Sequence, residues 1–457
     1  MIQPMLRWLY SWLMWLAQPL LNRKLLRRSR QEPGYGQFID ERFGRYTRPV
    51  LAHVGPTVWI HAVSLGETRA AAILVAALRL QLPHMRLLLT HGTATGRAEG
   101  LKLLGAGDLQ AWQPWDTPGA VGRFLTHFKP DLGVLMETEI WPNLVHGCQK
   151  QGVPLVLANA RLSDKSLRQA QRLAWLARPA FAALTAVWAQ TELDAQRLQA
   201  MGAKVQGVLG NLKFDAQPDA SQLACGRSWR TQLEKRVVMF ASSREGEELS
   251  LLQILKSFSP LANINKAQVA TFIEVNQVQW LIVPRHPQRF DAVAALIESH
   301  GFSVQRRSGW GQAGPVATGT TLPVIWLGDT LGEMALYYGL ADVALLGGSF
   351  EPLGGQNLIE AAACGCPVVM GPHTFNFTEA AEQALAAGAA QSSANLNQAV
   401  ALASALCLDT SAHDMAKQAA VGFARSHQGV ATRQVAGLIQ LLTDASKSTA
   451  HQARILV

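Results

Sequence analysis

Charge is scarce in this chain. Asp, Glu, Lys and Arg make up 16% of its 457 residues, against 49% hydrophobic residues. That balance excludes a disordered chain and leaves enough apolar side chains for two domains with full cores. Cysteine is scarcer still: five residues, at 148, 225, 364, 366 and 407, with no CxxC pair and no zinc-like spacing. This excludes a disulfide framework and fits a reducing compartment. Cys364 and Cys366 read as small buried residues. A Walker loop and a GxGxxG are both missing, so ATPase and dehydrogenase readings lose support. There is no DxD and no His/Cys/Asp cluster with ligand spacing, so nothing calls for an obligatory metal, and no cofactor is expected.

What is present begins with charge of one sign. The net charge of +9 favours anionic partners: nucleic acid, an acidic membrane face or phosphorylated substrates. The first 31 residues read as a membrane anchor with a basic flank. "MLRWLYSWLMWLAQPLL" (5–21) is apolar and tryptophan-rich, and "NRKLLRRSR" (22–30) follows with five cations. On a helix Trp8, Trp12 and Trp15 fall on one side, and Leu6, Leu9, Leu13, Leu16 and Leu20 form a second stripe. The run is shorter than the ~20 residues of a comfortable span and contains Arg7 and Pro19. It reads as a short span or as a helix lying in the interface, where Trp prefers to sit. A core helix packed on the first domain is the plainer alternative. The basic cluster after the apolar run places the remainder on the cytoplasmic side of an inner membrane.

Past residue 50, apolar β-runs alternate with helical stretches, the mark of parallel sheets covered on both faces. The runs "VWIHAVS" (58–64), "RLLLTHG" (86–92), "DLGVLME" (131–137), "PLVLANA" (154–160), "AVWAQT" (186–191) and "VQGVLG" (205–210) predict a first Rossmann-like domain over 32–214. A polar stretch, 215–228, reads as a linker. The alternation resumes with "RVVMFASS" (236–243), "QWLIVPR" (279–285), "VIWLGD" (324–329), "DVALLGGS" (342–349) and "PVVMGP" (367–372), predicting a second domain over 229–425. Residues 259–277 read as an insertion, and 426–457 as a helical tail that crosses back to the first domain.

Ligands of open α/β sheets sit at the carboxyl ends of the strands. In the second domain "ASSREGEE" places Ser242 and Ser243 at a helix start, which suits a phosphate or is an ordinary cap. "PRHP" holds Arg285 rigidly after Pro284, as a phosphate grip or a surface cation. "GDTLGEM" brings Leu331, Gly332 and Glu333 into a glycine turn. "GGSFEPLGGQNLIEAAACG" flanks a loop with glycine pairs before Asn357, Leu358, Ile359 and Glu360 open a helix, and a first-turn Glu suits a ribose diol. Together these favour a nucleotide. The first domain supplies Glu67, Glu137, Glu139, Asn143, Asn159, Arg161, Lys213 and Asp215 at its strand ends. Glu67 opens a helix, where it is either a start signal or a working carboxylate.

Two Rossmann-like domains facing a cleft, nucleotide in the second and acceptor groups in the first, describe a GT-B glycosyltransferase. The ordered series "HAVSLGE", "ETEIWPN", "NARLSDKS", "GNLKFD", "ASSREGEE", "PRHPQRF", "GDTLGEM" and "GGQNLIEAAACGCPVVMGPHTFNF" resembles that of the 3-deoxy-D-manno-octulosonic acid (Kdo) transferases over residues 35–425. The resemblance implies inverting, metal-independent transfer of Kdo from CMP-Kdo to lipid A precursor (lipid IVA) in lipopolysaccharide assembly. It makes Glu67 the general base, and Glu137 and Lys213 transition-state stabilisers. It maps CMP contacts to Pro284 and Arg285, to Leu331, Gly332 and Glu333, and to Asn357 through Glu360. The chain departs from the series at His91, Arg244 and Gln356.

The rivals are another GT-B envelope enzyme using a UDP-sugar, such as a lipid A disaccharide synthase, or a nucleotide-sugar epimerase of the same fold. A basic nucleic-acid-binding protein is disfavoured, because the densest basic cluster adjoins the apolar segment and no nucleic-acid module is present.

Overall fold

The computed structural model describes residues 2–47, 49–257, 277–316 and 322–455. Most of the expected insertion, 259–276, lies outside the described residues. The chain divides into two compact units, Met1–Asp215 with Gly429–Val457, and Ala216–Gln428.

The first unit is built on a seven-stranded parallel sheet of order β3-β2-β1-β4-β5-β6-β7. Its strands are β1 (Thr57–His61), β2 (Arg86–His91), β3 (Leu109–Trp112), β4 (Leu132–Met136), β5 (Leu155–Ala160), β6 (Ala186–Ala189) and β7 (Val205–Val208). Successive side chains point to opposite faces, and both faces are covered. Trp59, Leu88 and Leu135 pack into one apolar layer, and Val58, Ile60, Leu87 and Val134 into the other. That double burial is why these strands read as apolar runs. The order reverses between β1 and β4, and such a switch point opens a crevice at the strands' carboxyl ends.

The second unit repeats the plan with order β10-β11-β9-β8-β12-β13-β14. Here the strands are β8 (Arg236–Ser243), β9 (Val278–Pro284), β10 (Ser303–Arg306), β11 (Val324–Leu327), β12 (Val343–Leu346), β13 (Val368–Met370) and β14 (Ala390–Ser392). Its switch point lies between β8 and β12. Three strands escape the sequence pattern, β3, β10 and β14, and each is a sheet edge. Edge strands are short and partly wet, so they carry no apolar run; all four residues of β10 are only half-buried.

The segment 215–228 is not the linker its polarity suggests. Asp219 caps a helix over Ala220–Thr231, accepting from the Ser221 and Gln222 N–H groups. Trp229 is buried, and Arg230 pairs with buried Asp342 at 2.6 Å. A Cβ at Gly226 would stand 2.1 Å from the Leu336 carbonyl oxygen, so only glycine allows the two helices to approach so closely. The polar residues are the outer face of a packed helix. The tail does return to the first unit: Asp215 accepts from the Gly429 N–H at 2.6 Å and from the Ala431 N–H. Val430, Val435 and Leu438 of the helix Val430–Ile455 then join the first unit's core.

The N-terminal helix, Ile2–Ser29, packs on the first unit through polar contacts. Tyr10 donates to Asp116 at 2.9 Å, and Ser11 donates to Asn143 Oδ1 at 3.0 Å. Leu25 is buried, but many of the helix's large apolar side chains stay outside: Trp8, Leu9, Trp12, Leu13, Trp15, Leu16 and Leu20 are 44–70% exposed. Among the described residues no helix is long and apolar enough to cross a membrane.

Candidate active site

Glu67 stands in the first turn of the helix Leu65–Gln81, directly after β1 at the first switch point. Ser64 is the N-cap. The Val63 N–H donates to Glu67 Oε2 at 2.9 Å, and the Ser64 hydroxyl donates to Oε1 at 2.9 Å. The carboxylate thus folds back on its own helix start, as in a capping box. Those bonds and the helix end favour ionisation, yet burial outweighs them and pushes the carboxyl from 4.5 up to about 7. The Glu137 and Glu139 charges push the same way. Glu67 therefore keeps basicity that a wet helix-start carboxylate lacks.

Glu137 follows β4, across the switch point from Glu67, with φ of 56°. This left-handed backbone is strained for a residue with a Cβ. It is held because the Glu137 N–H donates to Ala158 O at 3.1 Å and its carbonyl accepts from Arg161 N–H. Glu139, two residues on, accepts from the Trp141 indole at 3.0 Å; burial raises its carboxyl. Asn143 is buried and locked to Asp116, so it shapes the wall and does not face the crevice. Asn159, at φ 50°, is also fully buried, and its Oδ1 accepts from Leu212 N–H at 2.9 Å. That bond anchors the turn Leu212–Asp215 and so places Lys213 at the carboxyl edge of the sheet. Asp215 is spent on the tail helix. Ser163 caps the helix Asp164–Arg172. His91 is buried too, with Nδ1 bound to Ala62 O at 2.9 Å, and is held neutral.

In the second unit the expected residues gather at one edge in unequal roles. Ser243 is a correction. Its side chain is fully buried and its hydroxyl donates to Glu248 at 2.8 Å, so it braces the strand end and meets no ligand. Ser242 turns the chain there, at φ 55°. Pro284 is buried at the end of β9, and Arg285, exposed, donates its N–H to Ser243 O at 3.0 Å. Leu331 is 70% exposed beside Gly332 at φ 78°. The Glu333 carboxylate is taken by Arg307 at 3.0 Å and by the Thr330 hydroxyl. Asn357 caps the short helix Leu358–Ala363 by accepting from Ile359 N–H at 3.2 Å. Leu358 and Ile359 are buried, so their side chains belong to the core. Glu360 and Arg285 both act on the buried Tyr338 hydroxyl, which burial raises first, so the two charges share one neighbourhood.

Two acids of the "ASSREGEE" stretch, Glu247 and Glu248, organise this edge. Both oxygens of buried Glu247 accept from Gly348 N–H, at 2.8 and 2.9 Å, and one also accepts from Arg244 N–H at 2.8 Å. Glu248 is gripped by both Arg289 nitrogens, at 2.7 and 3.0 Å. Their apolar-looking spacing to Leu251 and Leu252 was the available signal, since it puts both acids on the buried side of the helix. Among the described residues, no group of three or more His, Cys, Asp or Glu side chains is placed to hold a metal ion. Cys364 and Cys366 are buried, and burial pushes the Cys364 thiol up to about 12.

Residues 37–216 match the family described as 3-Deoxy-D-manno-octulosonic-acid transferase (kdotransferase). In solved structures, the chain is similar to a glycosyltransferase from Rickettsia africae ESF-5, with a TM-score of 0.52 over 86% of this chain and 99% of that one, at 14% identity. It is equally similar to UDP-GlcNAc 2-epimerase from Neisseria meningitidis, with a TM-score of 0.52 over 84% and 100%, at 13% identity. These likenesses carry the GT-B fold class read from the sequence, and the fold alone. Sequence separates the rivals. The 3-deoxy-D-manno-octulosonic acid transferase of Bordetella pertussis is 44% identical, over 92% of this chain and 96% of its own length. With that identity across almost the whole chain, it belongs to the 3-deoxy-D-manno-octulosonic acid (Kdo) transferase family.

Proposed function

We propose that this protein transfers Kdo from CMP-Kdo to lipid A precursor (lipid IVA), by inverting displacement and without a metal, in lipopolysaccharide synthesis. The observation that carries the proposal is a carboxyl poised near 7 at a sheet switch point, faced by a second carboxylate. Glu67 accepts the proton of an acceptor sugar hydroxyl while that oxygen bonds to the anomeric carbon of Kdo. The bond from that carbon to the CMP oxygen breaks, and CMP leaves with the electron pair. A base near 7 is matched to cytoplasmic pH. Glu137 supports positive charge developing on the sugar ring, and Lys213 supports the negative charge of the donor. Pro284 and Arg285, Leu331 to Glu333, and Asn357 to Glu360 form the CMP site. The leaving group carries a single phosphate, so arginine and main-chain N–H groups suffice where diphosphate leaving groups often use a metal.

Features of the first unit support the proposed acceptor and site of action. Exposed Trp8, Trp12 and Trp15 with the cations from Arg23 to Arg30 suit a helix lying in the anionic inner leaflet, at its cytoplasmic face. A cleft of about 570 Å³ between the helices Pro142–Gln151 and Ala174–Ala182, with Arg7 at its wall, offers an apolar lining beside that helix.

The test is direct. Purified protein supplied with CMP-Kdo generated in situ and lipid A precursor yields a Kdo-bearing lipid and CMP. Acceptance of a UDP-sugar in place of CMP-Kdo overturns the proposal.

A further inference from the structure

At the switch point of the second sheet stands a cation whose side chain has no hydrogen-bond or ion-pair partner among the described residues. Arg244 is the first residue after β8, and β12 ends beside it. Glu247 ties the two strand ends together, accepting from the Arg244 and Gly348 N–H groups. The Arg244 stem lies over Gly348. A Cβ at that glycine would meet Arg244 Cγ at 3.6 Å and Gln356 Nε2 at 3.2 Å. On the other side Ser243 pairs in register with Pro284, so Arg285 and His286 emerge next to Arg244. Three loops therefore converge on its half-buried side chain.

The nearby charges are not balanced. Arg289 is neutralised by both oxygens of Glu248. Glu247 faces main-chain N–H groups. Among the described residues the Arg244 guanidinium makes no hydrogen bond and no ion pair. The surplus charge is felt by His286, whose basicity falls through burial first and then through Arg244, Arg285 and Arg289. A half-buried guanidinium held against like charges is at its most favourable when an anion arrives.

We infer that Arg244 grips the carboxylate of the donor sugar, beside the phosphate held at Arg285. The inference rests on the CMP-Kdo reading above. A nucleoside monophosphate joined to a 2-keto sugar acid carries two anionic groups close together, because the carboxylate and the phosphate ester oxygen are both bonded to the anomeric carbon. Two adjacent anions need two adjacent cations, and Arg244 and Arg285 close neighbouring strands. Arg244 thereby selects sugar acids: a neutral hexosyl donor leaves its charge buried and uncompensated.

The experiment compares CMP with its sugar-acid ester. CMP affinity is measured by titration calorimetry, and CMP-Kdo kinetics by CMP release, for the wild type, Arg244→Gln, Arg244→Lys and Arg285→Gln. The Arg244→Gln protein binds CMP within about twofold of wild type, while kcat/KM for CMP-Kdo falls about 10- to 100-fold. Arg244→Lys recovers part of the loss, and Arg285→Gln weakens CMP and CMP-Kdo alike. The thermal midpoint of Arg244→Gln is unmoved, since its side chain has no hydrogen-bond or ion-pair partner among the described residues. Equal losses for CMP and CMP-Kdo in Arg244→Gln, or no loss for either, overturn the inference alone. A wild-type protein that binds no CMP overturns the parent reading and the inference with it.

Discussion

The Val63 N–H donates to Glu67 Oε2 at 2.9 Å, so the carboxylate that opens a helix is fastened to the residue that precedes the helix's N-cap. The bond favours the charged form, and burial with two facing glutamates overrides it. The folded pKa, about 7, lies above the ordinary 4.5. A general base works ionised, so protonation below about 7 removes it. We expect kcat/KM to rise about tenfold per pH unit up to that point and to level above it. In Glu67→Gln the amide still accepts from Val63, so the protein folds, but the rate and its pH step are both lost. A wild-type profile that stays flat across neutral pH places the base elsewhere.

Main-chain bonds place Lys213. Leu212 N–H donates to Asn159 and Lys213 N–H to Asn211 Oδ1. Lys213→Ala is expected to lower kcat about 100- to 1,000-fold, the usual cost of losing one electrostatic stabiliser. Steady-state kinetics check this. Unchanged kcat removes Lys213 from the reaction.

Glu247 is a joint between two strand ends. Glu247→Ala leaves the Gly348 and Arg244 N–H groups without their acceptor, each worth about 1–3 kcal/mol when buried. Denaturant titration is expected to show a loss in that range together with weaker CMP binding. A stable variant with full CMP affinity refutes the role.

The exposed tryptophans are proposed to serve a membrane interface, since Trp8, Trp12 and Trp15 are left out of the core. Replacing Trp8, Trp12 and Trp15 by Ala removes large exposed apolar area, worth roughly 25 cal/mol per Å² when inserted in lipid. Sedimentation with phosphatidylglycerol vesicles is expected to fall more than about tenfold, with the thermal midpoint unchanged. Equal sedimentation of wild type and variant rejects interfacial binding.

Much of the layout was legible because buried parallel strands need apolar residues on both faces. Val58, Trp59 and Ile60 are all fully buried, and the polar residues that follow such runs fall at one sheet edge. Glu67, Glu137 and Arg285 are read from the sequence in that way, and each follows its strand, β1, β4 and β9, in the structure. Ser243 was misread because a hydroxyl at a helix start looks alike whether it faces a ligand or an internal carboxylate. The helix over Ala220–Thr231 was misread because its polar outer face dominated its composition, while Trp229 and Gly226 carried its packing.

The sequence by itself determined two parallel α/β units, a tryptophan-rich basic start and the family to which the chain belongs. Strand periodicity and motif order are local, and local patterns survive in one dimension. Only the tertiary structure decided that burial raises the Glu67 carboxyl to about 7, that Glu247 joins two loops 101 residues apart, and that Arg244 has no counter-charge among the described residues. Basicity and charge balance depend on burial and on groups distant along the chain, and those distances exist only once the chain has folded.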